Sequence, residues 1–192
     1  MPSVAVNLSP ELFDGGILEQ IFNDCFLKTE STCLIGGASE PIYRPSQSHD
    51  QPHEIHYRED YFASALHEVA HWCIASEYRR QLIDFGYWYA PDGRSEAQQQ
   101  AFEAVEYQPQ ALEWYFSRAC AYRFQVSVDN LDAQTGELPD TSGFRRRVYD
   151  QVVQWQRDGL PARAAIFFKG LCREFGTAIP PEQLHFSLAE LD

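Results

Sequence analysis

The stretch from Tyr61 to Tyr78, YFASALHEVAHWCIASEY, constrains the fold of this chain more than any other, because it contains an HExxH motif. Asp60 is a favourable N-cap, and the fifteen residues after it include neither Gly nor Pro. Residues four apart on a helix lie on one face, with Cβ atoms about 6 Å apart. The stretch therefore predicts a helix on which His67 and His71 can bind one metal ion, with Glu68 on an adjacent face.

Polar side chains are rare in this stretch, which indicates a buried helix. Burying two imidazoles and a carboxylate without partners would cost roughly several kcal/mol, and a bound cation removes most of that cost. The alternative is a buried helix whose two His bond to neighbouring carbonyl groups. We favour a metal site because the residues that flank the motif are uncharged and compatible with a helix.

The composition, the cysteine pattern and the net charge limit which classes of protein this chain can belong to. The chain has 192 residues, 44% hydrophobic and 14% aromatic, which is typical of one globular domain. No run is long enough for a transmembrane helix, and the N-terminus does not resemble a signal peptide. Five Cys without a CxxC pair predict free thiols in a reducing cytoplasm. The net charge of -13 argues against a nucleic-acid binder and suits either a cationic partner or simple solubility.

Periodicity predicts a single α+β domain, residues 1–192, in which a small mixed sheet packs with several helices around the central metal helix. Residues 1–9 are expected to be a loose lead-in, and we expect a monomer. The predicted strands are residues 32–35, 41–44 and 53–57. Besides the metal helix, the predicted helices are residues 10–28, a helix from Ser95 to Tyr107, a separate helix opened by Pro109, residues 144–157 and residues 162–174.

Two His require at least one further ligand. If the metal helix continues, Glu77 lies about 15 Å along the axis from His67 and cannot reach the metal. Two later carboxylates remain, Glu103 and Glu106. The apolar side of their helix is set by Ala97, Ala101, Phe102 and Val105. Glu106 lies at the edge of that side, about 115° away, and Glu103 lies almost opposite, so we prefer Glu106. His53 and His56 are weaker candidates.

Two His and one carboxylate are compatible with two kinds of enzyme. In zinc hydrolases a water fills the fourth position, and Glu68 would act as general base. In non-heme iron enzymes the same ligands leave three positions for oxygen and substrate. Spacing alone does not separate these alternatives.

Longer motifs extend the likeness beyond HExxH. The segment HEVAHWCIASEYRRQLIDFGYWYAPDGR, followed by FEAVEYQPQALEWYF and FQVSVDNL, resembles the elongation factor P hydroxylase family. The likeness runs from about Leu18 to Arg173. It implies a zincin-like, YbeY-type fold around the metal helix. Matching motif to motif, it also implies that His67, His71 and Glu106 are the metal ligands.

The resemblance further implies a catalyst that uses Fe(II) and O₂ to hydroxylate a lysine of elongation factor P that already carries a β-lysyl group. The acidic charge would attract the ammonium groups of that side chain, with Glu68, Glu103 and Asp84 as candidates. The aromatic residues around Tyr87 and Trp88 would limit water access. Two alternatives remain: a zinc-dependent peptidase or nuclease, and a non-enzymatic protein with a structural metal.

Overall fold

The computed structural model describes residues 13–87, 94–128 and 140–191. In chain order its main elements are α1 (Gly15–Phe26), β1 (Thr32–Ala38), β2 (Ile42–Arg44), β3 (His53–Arg58), α2 (Phe62–Ile74), α3 (Glu96–Cys120), α4 (Ser142–Asp158) and α5 (Ala162–Phe175). This is the predicted α+β arrangement of a small sheet with several helices. The predicted lead-in, residues 1–9, and the aromatic Trp88 lie outside the described residues.

The three strands form one mixed sheet in the order β1-β3-β2. β1 runs parallel to β3, and β2 runs antiparallel to it. We predicted that the first strand ends at residue 35, before Gly36 and Gly37, and this is wrong because β1 continues to Ala38. The register shifts between Ile35 and Ala38, and pairing with β3 resumes opposite Arg58. Gly37 absorbs the irregularity with a φ of +84°, a conformation that glycine adopts without strain.

The start of α1 also differs from the prediction, which placed it at Pro10. Asp14 is extended and caps the helix, accepting a hydrogen bond from the Gly16 N–H at 2.8 Å. The helix therefore begins at Gly15, where the ring of Tyr57 leaves no room for a side chain. The buried face of α1 then repeats at helical spacing as Leu18, Ile21, Phe22 and Phe26.

The predicted metal helix is α2, and it is buried along most of its length against β3, α3 and α5. Its N-cap is Tyr61 rather than Asp60, and its helix ends at Ile74 because Ala75 is extended. Arg163 of α5 donates to the carbonyl oxygen of Trp72 at 3.1 Å and to that of Ala75. These bonds satisfy carbonyl groups that the end of a helix leaves without partners.

Helix α3 is one continuous helix of 25 residues, and our prediction that Pro109 opens a separate helix is wrong. Pro109 removes one backbone hydrogen bond, but burial of the following two turns against the rest of the core outweighs that local cost. The predicted start of the helix at Ser95 is confirmed, since Ser95 is its N-cap and forms a reciprocal capping box with Gln98.

The remaining helices match their predictions closely. We expected residues 144–157 and 162–174, and the structure has Ser142–Asp158 and Ala162–Phe175. Within the described ranges, no helix combines the length and the apolar character that crossing a bilayer requires.

Candidate metal centre

His67 and His71 lie one turn apart on α2 and turn their rings toward the same point. The two Nε2 atoms are 3.1 Å apart, and the ring centroids are 4.7 Å apart. Since α2 is anchored by apolar contacts along most of its length, its backbone fixes the spacing of the two side chains independently of a bound metal.

Helix α3 supplies the third donor. Oε2 of Glu106 lies 3.3 Å from Nε2 of His67 and 3.3 Å from Nε2 of His71. Glu106 is only 3% exposed, so its carboxylate is directed inward toward the two rings. Among the described residues, these three form the one cluster whose donor atoms all lie within 4.8 Å of one another.

The spacing of the three atoms fits a small divalent cation. At a ligand distance of about 2.1 Å, donors at right angles stand about 3.0 Å apart and donors at tetrahedral angles about 3.4 Å apart. The observed separations of 3.1–3.3 Å lie between these values. Imidazole and carboxylate donors suit iron, zinc and other first-row transition metals. The geometry therefore accommodates such a metal and does not choose between an iron and a zinc site.

Sequence reasoning missed a fourth participant, Glu113. Its Oε2 lies 2.9 Å from Nδ1 of His67, on the side of the ring away from the other donors. Glu113 follows Glu106 by two helical turns on the same face of α3 and is 9% exposed. That i, i+7 spacing of two carboxylates was the signal in the sequence that could have identified it.

Electrostatics couple the two helices. Burial alone would lower the pKa of His67, but hydrogen bonds to Glu106 and Glu113 outweigh it and hold that pKa well above its usual value. Burial would raise the pKa of Glu106, but the charge of His71 and hydrogen bonds from both imidazoles hold it well below its usual range. Burial keeps the pKa of Glu113 raised despite its bond to His67. The negative charges of Glu106 and Glu113 are therefore stabilised by a positive charge between them, which either a proton on His67 or a metal cation can supply.

Glu68 lies beside this cluster but is not one of its three donors. Burial raises the pKa of its carboxyl group, and the nearby Glu106 and Asp84 raise it further, while His67 and His71 act in the opposite direction. Asp84 itself accepts a hydrogen bond from the backbone N–H of Tyr43 at 2.8 Å. One of its carboxylate oxygens is therefore already used in holding the chain.

An aromatic wall covers His71. Phe85 lies parallel to the His71 ring, with centroids 6.4 Å apart, and stacks on Tyr43 at 4.3 Å. Tyr87 approaches the same imidazole at 6.5 Å. Asp84 and Phe85 both adopt positive φ, 48° and 56°, which non-glycine residues rarely do. This strained turn places Phe85 against His71 of α2, and no sequence pattern indicated it.

The other candidates lie elsewhere. Glu77 is exposed, although the helix ends before it and the reason for excluding it was therefore wrong. Glu103, three residues before Glu106 on α3, pairs with Arg147 of α4 and accepts a hydrogen bond from Gln99 at 3.1 Å. His53 contacts the Tyr43 hydroxyl and the Ser46 N–H, and His56 contacts Glu54.

Comparison with known proteins agrees with the longer motifs. The family model described as elongation factor P hydroxylase matches residues 21–186. A protein of Haemophilus influenzae named elongation factor P lysine hydroxylase is 45% identical over 157 residues, which span 82% of this chain and 86% of the relative. The matched region contains α2, α3 and every residue of the cluster. The chain belongs to the elongation factor P hydroxylase family.

Proposed function

We propose that this protein hydroxylates a lysine side chain of elongation factor P, using Fe(II) bound by His67, His71 and Glu106. The observation that carries the proposal is the convergence of these three donors, from two helices, to separations of 3.1–3.3 Å in a member of this family. Two imidazoles and one carboxylate on one side of an Fe(II) ion leave room for O₂ and substrate on the other.

The metal and the chain have separate tasks. Bound Fe(II) supplies the activation of O₂ that oxygen insertion into an unactivated C–H bond requires. The chain fixes the donors on two packed helices. Phe85 and Tyr87 shield the His71 side of the cluster and limit the access of water. Glu68 and the net charge of -13 favour the approach of a side chain that carries ammonium groups.

The substrate we propose is elongation factor P whose lysine already bears β-lysine, because that group adds ammonium charge. We further propose that residues 1–192 act as one monomeric domain in the cytoplasm and contact elongation factor P through a small, transient interface. We propose no direct contact of this protein with nucleic acid or with a membrane.

Intact-protein mass spectrometry tests the proposal directly. The chain is reconstituted anaerobically with Fe(II) or Zn(II) and then exposed to air with elongation factor P, either unmodified or β-lysylated. A gain of one oxygen atom on the β-lysylated form, with Fe(II) only, is the expected result, and His71→Ala serves as the metal-site control. No gain on either form under iron-replete conditions contradicts the function, while equal gain on both forms contradicts only the ammonium argument.

A zinc-dependent hydrolase is the second candidate, and the raised pKa of Glu68 favours it. A carboxylate that titrates closer to neutral pH is a better general base toward a metal-activated water. Steady cleavage of a peptide or RNA by the Zn(II) form, without oxygen transfer by the Fe(II) form, would establish this alternative. Binding of a metal with neither activity would instead indicate a structural site.

A further inference from the structure

Both ring nitrogens of His67 are engaged, and by different kinds of partner. Nε2 faces the other two donors, 3.1 Å from His71 and 3.3 Å from Glu106. Nδ1 lies 2.9 Å from the buried carboxylate of Glu113. A neutral imidazole has one proton, and a carboxylate accepts it only if the proton is on Nδ1. That tautomer leaves the lone pair of Nε2 free to bind a metal.

We propose that Glu113 is a positioning residue, which fixes the tautomer and orientation of His67 and strengthens that imidazole as a metal ligand. The inference rests on the metal site in the proposed function and assigns a role that the three donors do not fill. A negative charge on the far side of an imidazole raises its basicity, and such outer partners commonly change metal affinity about 10- to 100-fold.

The two imidazoles are not equivalent in this respect. Within the described ranges, no carboxylate hydrogen-bonds Nδ1 of His71, whose ring instead lies against Phe85. The two His are thus oriented by different means, His67 by a charged hydrogen bond and His71 by packing. Loss of Glu113 should affect the first ligand and leave the second in place.

The placement of Glu113 explains why a carboxylate remains in the core of α3. Its neighbours Leu112 and Trp114 are apolar and buried, and the carboxylate is 9% exposed. Burial of a charge is costly unless the charge has a partner, and the described partner is His67. Because α2 and α3 pack directly together, the hydrogen bond also fixes the ligand on α2 relative to Glu106 on α3.

Three variants of the full-length chain test the role. Glu113→Gln keeps the shape and a neutral acceptor but loses the charge, and Glu113→Ala removes the partner. Glu103→Gln is the matched control on the same helix, at a carboxylate that pairs with Arg147. Affinity for Co(II) is measured by competition with a chelator. Thermal unfolding of the metal-free proteins is recorded alongside. The absorption spectrum of bound Co(II) reports ligand geometry, which a merely structural residue would not change.

We expect Glu113→Ala to weaken Co(II) binding about 10- to 100-fold and to alter the spectrum, with a smaller loss for Glu113→Gln and none for Glu103→Gln. Wild-type affinity and spectrum in Glu113→Gln, even with lower thermal stability, would show that Glu113 is structural only and overturn the inference. If Glu113→Ala does not fold, Glu113→Gln decides the question alone.

The same samples separate this inference from the proposed function. A wild type that binds Co(II) but transfers no oxygen with Fe(II), while Glu113→Gln binds Co(II) more weakly, refutes the function and supports the role of Glu113. A wild type that transfers oxygen while Glu113→Gln binds Co(II) normally refutes only the role of Glu113. A wild type without affinity for metal overturns both.

Discussion

Helices α2 and α3 together carry the three donors of the cluster, but α3 buries far more polar side chains than α2 does. The buried face of α2 is largely apolar, with His71 as its one buried polar residue. The side of α3 that carries Glu106 also has a stripe of buried polar residues at helical spacing: Gln99, Glu106, Gln110, Glu113 and Ser117. Helix α2 is held by hydrophobic packing and carries two of the proposed ligands, whereas α3 is held in addition by hydrogen bonds of its buried polar side chains.

The difference matters for how such sites are found. The motif on α2 stands out because polar groups are rare around it. The stripe on α3 resembles an ordinary solvent-facing surface, since polar residues at helical spacing usually lie outside. Its burial makes sense only when the partners are known: the two imidazoles for Glu106, His67 for Glu113, and the Ser127 backbone for Gln110.

Because the proposed site draws its ligands from both α2 and α3, we expect the loss of a ligand from either helix to abolish metal binding. We expect His67→Ala, His71→Ala and Glu106→Ala each to abolish metal binding and hydroxylation, because two remaining donors cannot hold the ion tightly. Glu103→Ala is the matched control and should retain nearly full metal content. Metal content by elemental analysis and folding by circular dichroism check this. A Glu106→Ala protein with full metal content would show that α3 contributes no ligand.

The apolar packing of α2 should dominate stability. Leu66 is fully buried, so Leu66→Ala should lower the free energy of unfolding by about 2–5 kcal/mol through lost burial and the cavity left behind. Leu27→Ala is the control. Because that side chain is 42% exposed, its loss should lower the free energy of unfolding by much less than Leu66→Ala does. Urea unfolding of the metal-free proteins measures both. A cost below about 1 kcal/mol for Leu66 would refute apolar anchoring of α2.

Each residue of the polar stripe of α3 should contribute less to the free energy of unfolding than a buried apolar residue of α2 does. Gln110 donates to the Ser127 carbonyl at 2.6 Å and accepts from the Ser127 N–H at 3.1 Å. Gln110→Ala removes both bonds and should cost about 1–2 kcal/mol, because water can reach the exposed Ser127 in part. Gln108→Ala is the matched control on the same helix, with a single long bond to Gln151 at 3.4 Å. Equal costs in urea unfolding would contradict a special role for the buried stripe.

The sequence predicted the apolar helices better than it predicted positions whose structure depends on distant neighbours. Apolar periodicity placed α4 and α5 within two residues of their ends and identified α2 as the central helix. It failed at Pro109 and Gly36, where local preference for a break was overruled by burial in a long helix and by a bulge in the sheet. Propensity describes the intrinsic preference of a residue, whereas the backbone conformation at these two positions is determined by tertiary contacts with neighbouring residues.

For the site, the sequence led to Glu106 through a partly incorrect argument. The helical wheel took Ala97 and Ala101 as buried, but both are exposed, and Gln99 is buried instead. Glu106 therefore lies within the buried side and not at its edge. Glu113 was missed for the same reason, because a carboxylate without its partner in view is assigned to the surface.

The smallest effect we expect concerns Glu68, which lies on α2 next to His67 and is not one of the three proposed ligands. If the protein is a hydroxylase, no water has to be deprotonated for attack. Glu68→Gln should then keep its metal and lower kcat/KM less than about tenfold, mainly through weaker attraction of the ammonium groups. In a hydrolase the same change removes the general base and should cost about 10²- to 10⁴-fold in kcat.

Two measurements make the Glu68 test decisive, namely kcat and KM for β-lysylated elongation factor P at saturating Fe(II) and O₂. A rise in KM with kcat nearly unchanged is expected for lost attraction of the substrate, since such binding is made before the chemical step. Salt should reduce the difference between wild type and variant, because screening weakens an attraction between charges. A loss confined to kcat and insensitive to salt would contradict substrate attraction and give α2 a general base as well as two ligands.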